Sequence, residues 1–207
     1  MKKHPLLADI GNTHIHIYNG LSVEHLEYTK AIELYADKRI QYICVNQKVE
    51  LEIQKSTLWQ NISSLITLKG AYSGMGVDRK ALCLAYNDGV FVDAGSAITI
   101  DIMENGRYQG GFILAGLKAT LQSYASISPL LESRLQKDIS LNTLPTSTRE
   151  GISYGVIAPI IAIIQKHQED KKVYFTGGDG EYLSRFLPNS SFDDRAVFYG
   201  MLTKINS

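Results

Sequence analysis

Two short stretches of this chain carry the same residue types in the same order. Asp9-Ile10-Gly11-Asn12-Thr13 and Asp93-Ala94-Gly95-Ser96-Ala97 each set a carboxylate two residues before a glycine, with hydroxyl or amide side chains close by. A glycine in a turn lets a bulky ligand approach main-chain N–H groups, because no Cβ stands in the way. Successive N–H groups there make a small anion nest, and Asn12, Thr13 and Ser96 add side-chain donors. This chemistry suits phosphate. The acids have another task, since a carboxylate repels phosphate; Asp9 and Asp93 suit cations that bridge to it. No G-x-x-x-x-G-K-[ST] loop occurs, and alternation resumes after each turn, so strand and not helix follows. One such turn alone would be a hairpin whose Asp caps its own backbone. The pair, joined by a third glycine turn at Thr176-Gly177-Gly178-Asp179, points to a two-sided site for nucleotide phosphates.

The elements that must position these turns follow from periodicity. Strands are expected near 5–10 and 13–18, with Ile15 and Ile17 on one side and His14 and His16 on the other. Asn19-Gly20 is a two-residue hairpin signal leading to a strand near 21–28. A buried strand over 39–46, a helix over 48–57, a short strand at "SLITL" (64–68) and a helix over 78–86 complete the first half. The second half opens the same way. "VFVDAGSAITIDI" reads as strand, turn and strand, with Glu104-Asn105-Gly106 as the next hairpin turn. "GGFILAG" leads to a helix from about 116; a long helix over 149–166, a strand in "KKVYFTGGDG" and a final helix over 195–204 follow. This self-similarity at a large period predicts duplicated α/β halves, divided as 1–87 and 88–207, facing each other across a cleft.

Composition narrows the function classes. Hydrophobic residues make up 44% and charged residues 20% of the 207, enough to bury a core. Lys+Arg and Asp+Glu both number 21, so there is no basic surplus to argue for nucleic acid or an anionic membrane. The opening "MKKHPLLADIGNT" has too short an apolar run for a signal peptide or a spanning helix. Cys44 and Cys83 stand apart in apolar runs with no metal or disulfide spacing. A soluble, cytoplasmic protein is expected. His14-x-His16 puts two imidazoles on one strand face, with no third ligand at a metal spacing.

"DIGNT", "GVDR", "DAGSAITID" and "GGFILAG", in this order, resemble the signature segments of type III pantothenate kinases, and the resemblance spans nearly the whole chain. Those enzymes belong to the superfamily of acetate and sugar kinases, Hsp70 and actin. The resemblance implies duplicated actin-like (ribonuclease H-like) halves with a nucleotide cleft, and ATP-dependent phosphorylation of pantothenate toward coenzyme A. By it, Asp9, Ile10, Gly11, Asn12, Thr13, His14, Ile15 and His16 would form the first ATP phosphate turn, and Ser96 would contact ATP. Asp93 would hold a monovalent cation, K⁺ or NH₄⁺, and Asp9 would serve Mg²⁺. Gly76, Val77, Asp78 and Arg79 would line the pantothenate pocket with Tyr72, and Asp78 would be the general base. Thr148, in "TSTREGISYG", would reach pantothenate across a homodimer interface. Ser96 stands where the family more often has threonine, Ala115 where it has proline, and His14 where it has a small polar residue.

The residues themselves support Asp78. Phosphoryl transfer needs positioning, charge neutralisation and a group to take the alcohol's proton. Arg79 beside it could grip a substrate carboxylate with two prongs. Two other readings remain open at this point: another small-molecule kinase or phosphohydrolase of the superfamily, and a regulator that binds ATP without turnover. The "GVDR" loop between the phosphate turns is the feature that separates them, since a pure ATP switch needs neither base nor carboxylate-binding Arg.

Overall fold

The computed structural model describes residues 5–55 and 58–206. It divides into two compact units. The first contains the chain up to Asn87 together with Glu104–Gln109 and the segment from Asp194 onward; the second contains Asp88–Met103 and Gly110–Asp193.

In the first unit, β1 (Leu6–Ile10), β2 (Ile15–Tyr18), β3 (Val23–Leu26), β4 (Ile40–Cys44) and β5 (Trp59–Asn61) form one sheet in the order β3-β2-β1-β4-β5. β1 runs antiparallel to β2 and parallel to β4, so it sits at the sheet's centre. A central strand must be apolar on both faces, and Leu7, Ala8 and Ile10 are fully buried. Helices α1 (Tyr28–Tyr35), α2 (Gln47–Ile53) and α3 (Val77–Cys83) complete this part.

The second unit repeats the plan. Its strands are β6 (Gly89–Ala94), β7 (Ala97–Glu104), β8 (Arg107–Ala115), β9 (Val173–Thr176) and β10 (Ser190–Phe192), ordered β10-β9-β6-β7-β8. The two orders match when each sheet is read outward from its first strand: an antiparallel hairpin on one side, parallel strands on the other. β6 runs antiparallel to β7 and parallel to β9, as β1 does to β2 and β4. The duplication read from two Asp-x-Gly turns is thus a duplication of topology. Helices α4 (Leu117–Ile127), α5 (Thr148–Gln168) and α6 (Gly180–Ser184) belong here. The long helix α5 buries Ile152, Val156, Ile157, Ile160, Ile161 and Ile164, the i, i+4, i+8 stripe of a helix lying on a core.

The last helix, α7 (Ala196–Ile205), belongs to the first unit. Gly200 explains its seat: a Cβ there would collide with the Ala81 carbonyl of α3. Close backbone approach therefore locks α7 against the helix that begins at Val77. The tip of the β7–β8 hairpin also belongs to the first unit, tied by the Tyr108 N–H donating to Lys69 O at 2.9 Å.

Local expectations differ from the structure at three places. "SLITL" is not a strand; the edge strand is Trp59–Asn61, and Ser63–Leu65 is a 3₁₀ turn. The Asn61 side chain accepts from the Ser63 N–H at 2.7 Å, an Asx turn that ends the ladder just before the apolar run. Asn19-Gly20 is not a two-residue turn: Tyr18 pairs with Val23, leaving a four-residue loop in which Asn19 Oδ1 accepts from the N–H groups of Leu21 and Ser22. Asn105-Gly106 does form the tight hairpin, with φ of 50° and 68°. The helix expected over 48–57 ends at Ile53, and its last two expected residues lie outside the described residues.

Candidate active site

The first Asp-x-Gly turn closes between Ile10 and Ile15, which pair across β1 and β2. The Gly11 N–H donates to His14 O at 3.1 Å, leaving Asn12, Thr13 and His14 exposed at the tip. A Cβ on Gly11 would meet only His14 O, at 3.6 Å, an ordinary contact. Packing within the protein therefore does not demand glycine here, which fits space kept for a ligand. Ile10 and Ile15 are fully buried, so of the expected ATP segment they can offer only backbone. Tyr28 Oη donates to Gly11 O at 3.1 Å, and Asn46 Nδ2 donates to Tyr28 Oη at 3.4 Å, bracing the turn from α1.

The second turn has the same form. The Gly95 N–H donates to Ala97 O at 3.0 Å, and Ser96 is exposed. Here the supporting glycines are required by packing. A Cβ on Gly116 would lie 2.5 Å from both Gly95 O and Ser96 O. Gly177, at φ +83°, would place a Cβ 2.5 Å from Asp93 Oδ1 and 2.7 Å from the Ala94 carbonyl. The Asp179 N–H donates to Ala94 O at 2.9 Å, and burial raises the Asp179 carboxyl above its usual range, with Lys137 opposing.

Each acid lies in a row of cross-strand neighbours, whose side chains share one face of the sheet. Asp93 lies between Thr99 on β7 and Thr176 on β9. Asp9 lies between His16 on β2 and Ile43 on β4, and His16 faces His25 on β3. The duplicated topology therefore gives His16 the place that Thr99 holds in the second unit. Thr99 Oγ1 is a buried oxygen with no hydrogen-bond partner among the described residues. With Asp93 beside it, the donor set is oxygen only, which suits a hard cation.

His16 pairs with His25 and not with His14. His16 Nδ1 and His25 Nδ1 stand 2.6 Å apart, one donating and one accepting; two nitrogens on one metal would stand further apart. The His14 and His16 rings are 6.4 Å apart. Among the described residues there is no cluster of three His, Cys, Asp or Glu able to hold a metal. Burial, then His25 and His14, push the His16 imidazole down to about 4.

The "GVDR" loop opens α3. Gly76 is its N-cap residue, and a Cβ there would lie 2.5 Å from Asp78 Oδ1. That oxygen accepts from the Arg79 N–H at 2.7 Å, so the first turn of the helix orients the carboxylate. Arg79 is only 6% exposed, and a guanidinium is seldom buried that far without a purpose. Its Nη1 donates to Tyr72 Oη at 2.8 Å and its Nη2 to Tyr108 Oη at 3.4 Å. The first unit thus brings Tyr72, Gly76, Val77, Asp78 and Arg79 together, and Met75 anchors the loop in the core.

The chain is similar to known proteins over nearly its whole length. The sequence model of type III pantothenate kinases matches residues 37–169. Type III pantothenate kinases of Helicobacter hepaticus and Wolinella succinogenes are 40% and 41% identical over 197 and 201 residues, covering 95% of this chain and 96% and 94% of theirs. The chain belongs to the type III pantothenate kinase family. A Campylobacter jejuni structure described under the Baf family of transcriptional activators superposes with a TM-score of 0.87 at 36% identity, covering 97% of each chain. A Sinorhizobium meliloti protein described as a 2-dehydro-3-deoxygalactonokinase shares the fold, with a TM-score of 0.60 at 10% identity over 98% of this chain and 96% of its own. The architecture is the duplicated actin-like α/β fold.

Thr148 lies in the second unit, exposed in the first turn of α5, where Ser147 Oγ caps the helix by accepting from the Glu150 N–H at 3.3 Å. It lines a shallow hollow of about 310 Å³ with Arg134 and Arg149. The residues missed by sequence reasoning are Tyr28, Tyr108, Thr99 and His25. The first two reach their partners across 17 and 29 residues, beyond any local pattern. Thr99 and His25 were legible in principle, through the register counted out from each acid. No helix among the described residues is long and apolar enough to cross a membrane.

Proposed function

We propose that this protein transfers the γ-phosphoryl group of ATP to the primary hydroxyl of pantothenate, giving 4′-phosphopantothenate and ADP at the entry to coenzyme A synthesis. Family membership supports the reaction. The observation that carries the residue assignment is the Gly76–Arg79 loop, with an oriented carboxylate next to a buried guanidinium. Asp78 accepts the hydroxyl proton as the pantothenate oxygen attacks phosphorus and the bond to ADP breaks. Arg79 and Tyr72 bind the substrate, with Gly76 and Val77 shaping the pocket. The Gly11 turn, from Asp9 to His16, and Ser96 cradle the phosphates through N–H and hydroxyl donors.

Asp9 would hold Mg²⁺, which needs only one or two carboxylates beside the nucleotide's own oxygens. Asp93 with Thr99 would hold K⁺ or NH₄⁺, the buried Thr99 Oγ1 supplying a neutral oxygen. When bound, these cations offset the negative charge that gathers on the transferring phosphoryl group.

A homodimer is part of the reading. Ile127, Leu130 and Leu144 of the second unit are 73%, 89% and 80% exposed, and Leu130 lines the same hollow as Thr148. Exposed apolar surface of this kind suits cover by a second copy, and Thr148 would then reach the partner's pantothenate.

The test is purified protein with ATP, Mg²⁺ and pantothenate, with potassium or ammonium exchanged for sodium and the product read by mass. Phosphopantothenate that depends on K⁺ or NH₄⁺ is expected. Nucleotide binding with no product under any cation would favour the regulator reading instead. Transfer to a sugar or hydrolysis of a polyphosphate, with pantothenate untouched, would favour another enzyme of the fold.

A further inference from the structure

Tyr108 stands 29 residues from Arg79 in sequence, yet its hydroxyl meets the Arg79 guanidinium. We propose that Tyr108 is a positioning residue which, with Tyr72, sets the plane of the Arg79 guanidinium for a substrate carboxylate. This rests on the pantothenate reading above.

Three observations carry it, all within the first unit. The two phenols contact different ends of one guanidinium, Tyr72 at Nη1 and Tyr108 at Nη2. Two contacts at separate nitrogens fix the rotation of a planar group, which one contact cannot do. A two-pronged grip on a carboxylate needs that plane fixed. Tyr108 is itself only 7% exposed, and its ring lies 6.3 Å from that of Tyr72, so its hydroxyl is held and not free to swing.

The backbone is arranged to deliver this side chain. Asn105-Gly106 makes the tight turn before it, and the Gly106 N–H donates to Asn87 O at 2.9 Å. The Tyr108 N–H donates to Lys69 O at 2.9 Å. Gly70, at φ +88°, lies so near that a Cβ there would stand 2.7 Å from Tyr108 O. A hairpin tip pinned at both ends over a glycine is a rigid mount. Since Arg79 is buried, its aim is set by such neighbours and not by solvent.

Tyr108→Phe keeps the ring and removes the hydroxyl, so it separates aiming from packing. The expected result is a rise of roughly five- to tenfold in KM for pantothenate, the size of one ordinary lost hydrogen bond, since the Tyr108 contact is long at 3.4 Å. kcat should stay within about twofold and KM for ATP should not change. Calorimetry then closes a double-mutant cycle with Arg79→Lys, reading the Kd of pantothenate without need of turnover. In the Arg79→Lys background the Tyr108→Phe substitution should cost less than about twofold, because the plane it orients is gone. Several results would overturn the inference: an unchanged pantothenate KM, an equal cost in both backgrounds, or a parallel rise in KM for ATP with a lowered Tm. If wild-type protein phosphorylates pantothenate and Tyr108→Phe matches it, the inference alone falls. If wild-type protein neither binds nor phosphorylates pantothenate, the functional reading falls and takes the inference with it.

Discussion

Replacing Gly177 with alanine tests how the second Asp-x-Gly turn is held. Two costs combine there. An L side chain at φ +83° enters the left-handed region, at roughly 1–2 kcal/mol. The added methyl would also stand 2.7 Å from the Ala94 carbonyl carbon and oxygen. Those are backbone atoms of the central strand β6 and cannot swing aside, so overpacking adds about 1–3 kcal/mol. The sum is on the order of 2–5 kcal/mol, and a chain of this size loses about 2–4 °C in Tm per kcal/mol, giving a fall of roughly 4–20 °C. Two neighbours in kind separate the costs. Gly74 has φ +88° with nothing within 4 Å of its Cβ position, so Gly74→Ala isolates the conformational cost. Gly178 has open space and an ordinary φ, so Gly178→Ala should change Tm by less than about 2 °C. Calorimetric or fluorescence melting of the three variants gives the expected order, with Gly177→Ala lowest and Gly178→Ala nearest wild type. Equal melting of Gly177→Ala and Gly178→Ala would refute the packing argument.

Further outcomes follow from the same geometry. Tyr28→Phe removes the donor to Gly11 O; a loss of about 1 kcal/mol should appear as a roughly fivefold weaker ATP affinity. Unchanged ATP binding would show that the turn holds without its brace. His16 has a folded pKa near 4, below its ordinary value, so the unfolded chain binds the extra proton first. Stability from neutral His16 is intact above about pH 6.5 and drains as pH falls toward 4. Partial exposure of the pair to solvent limits its size. Tm measured from pH 7.5 to 4.5 should therefore fall less steeply in His16→Thr than in wild type, and parallel slopes would contradict this. Thr99→Val removes the buried hydroxyl beside Asp93. It should raise the potassium concentration needed for half-maximal activity several-fold, with titrations that overlay wild type as the opposing result.

The residues proposed for the site could be named from sequence because they are local in it. Asp9 to His16 and Asp93 to Ser96 each lie within one strand-turn-strand, and Gly76 to Arg79 within one helix start. The repeat of Asp-x-Gly carried the fold class, and the matching strand order in both units explains why one motif twice could imply so much. What escaped was set by pairing over distance. The edge strand at Trp59 is chosen by register with Ile40, not by the more apolar run that follows it. Asn19-Gly20 has the composition of a tight turn, yet the Asn19 side chain collects two backbone N–H groups and opens the loop to four residues. α7 returns to the first unit because Gly200 admits the Ala81 carbonyl, a fit no periodicity reveals. His14 and His16 share one strand face with no third ligand at a metal spacing, and local sequence assigns them no partner. Strand register pairs His16 with His25, in the position that a threonine fills in the second unit.

In the proposed reaction Asp78 accepts the pantothenate hydroxyl's proton. The measurement that bears on it most directly is turnover by Asp78→Asn, alongside calorimetric binding of pantothenate and ATP to the same variant. Asn keeps the side chain's shape and its acceptor oxygen for the Arg79 N–H but is not a base. Both substrates should bind within several-fold of wild type, with kcat lowered by about 10²–10⁴. A variant that binds normally and turns over at the wild-type rate would contradict this role.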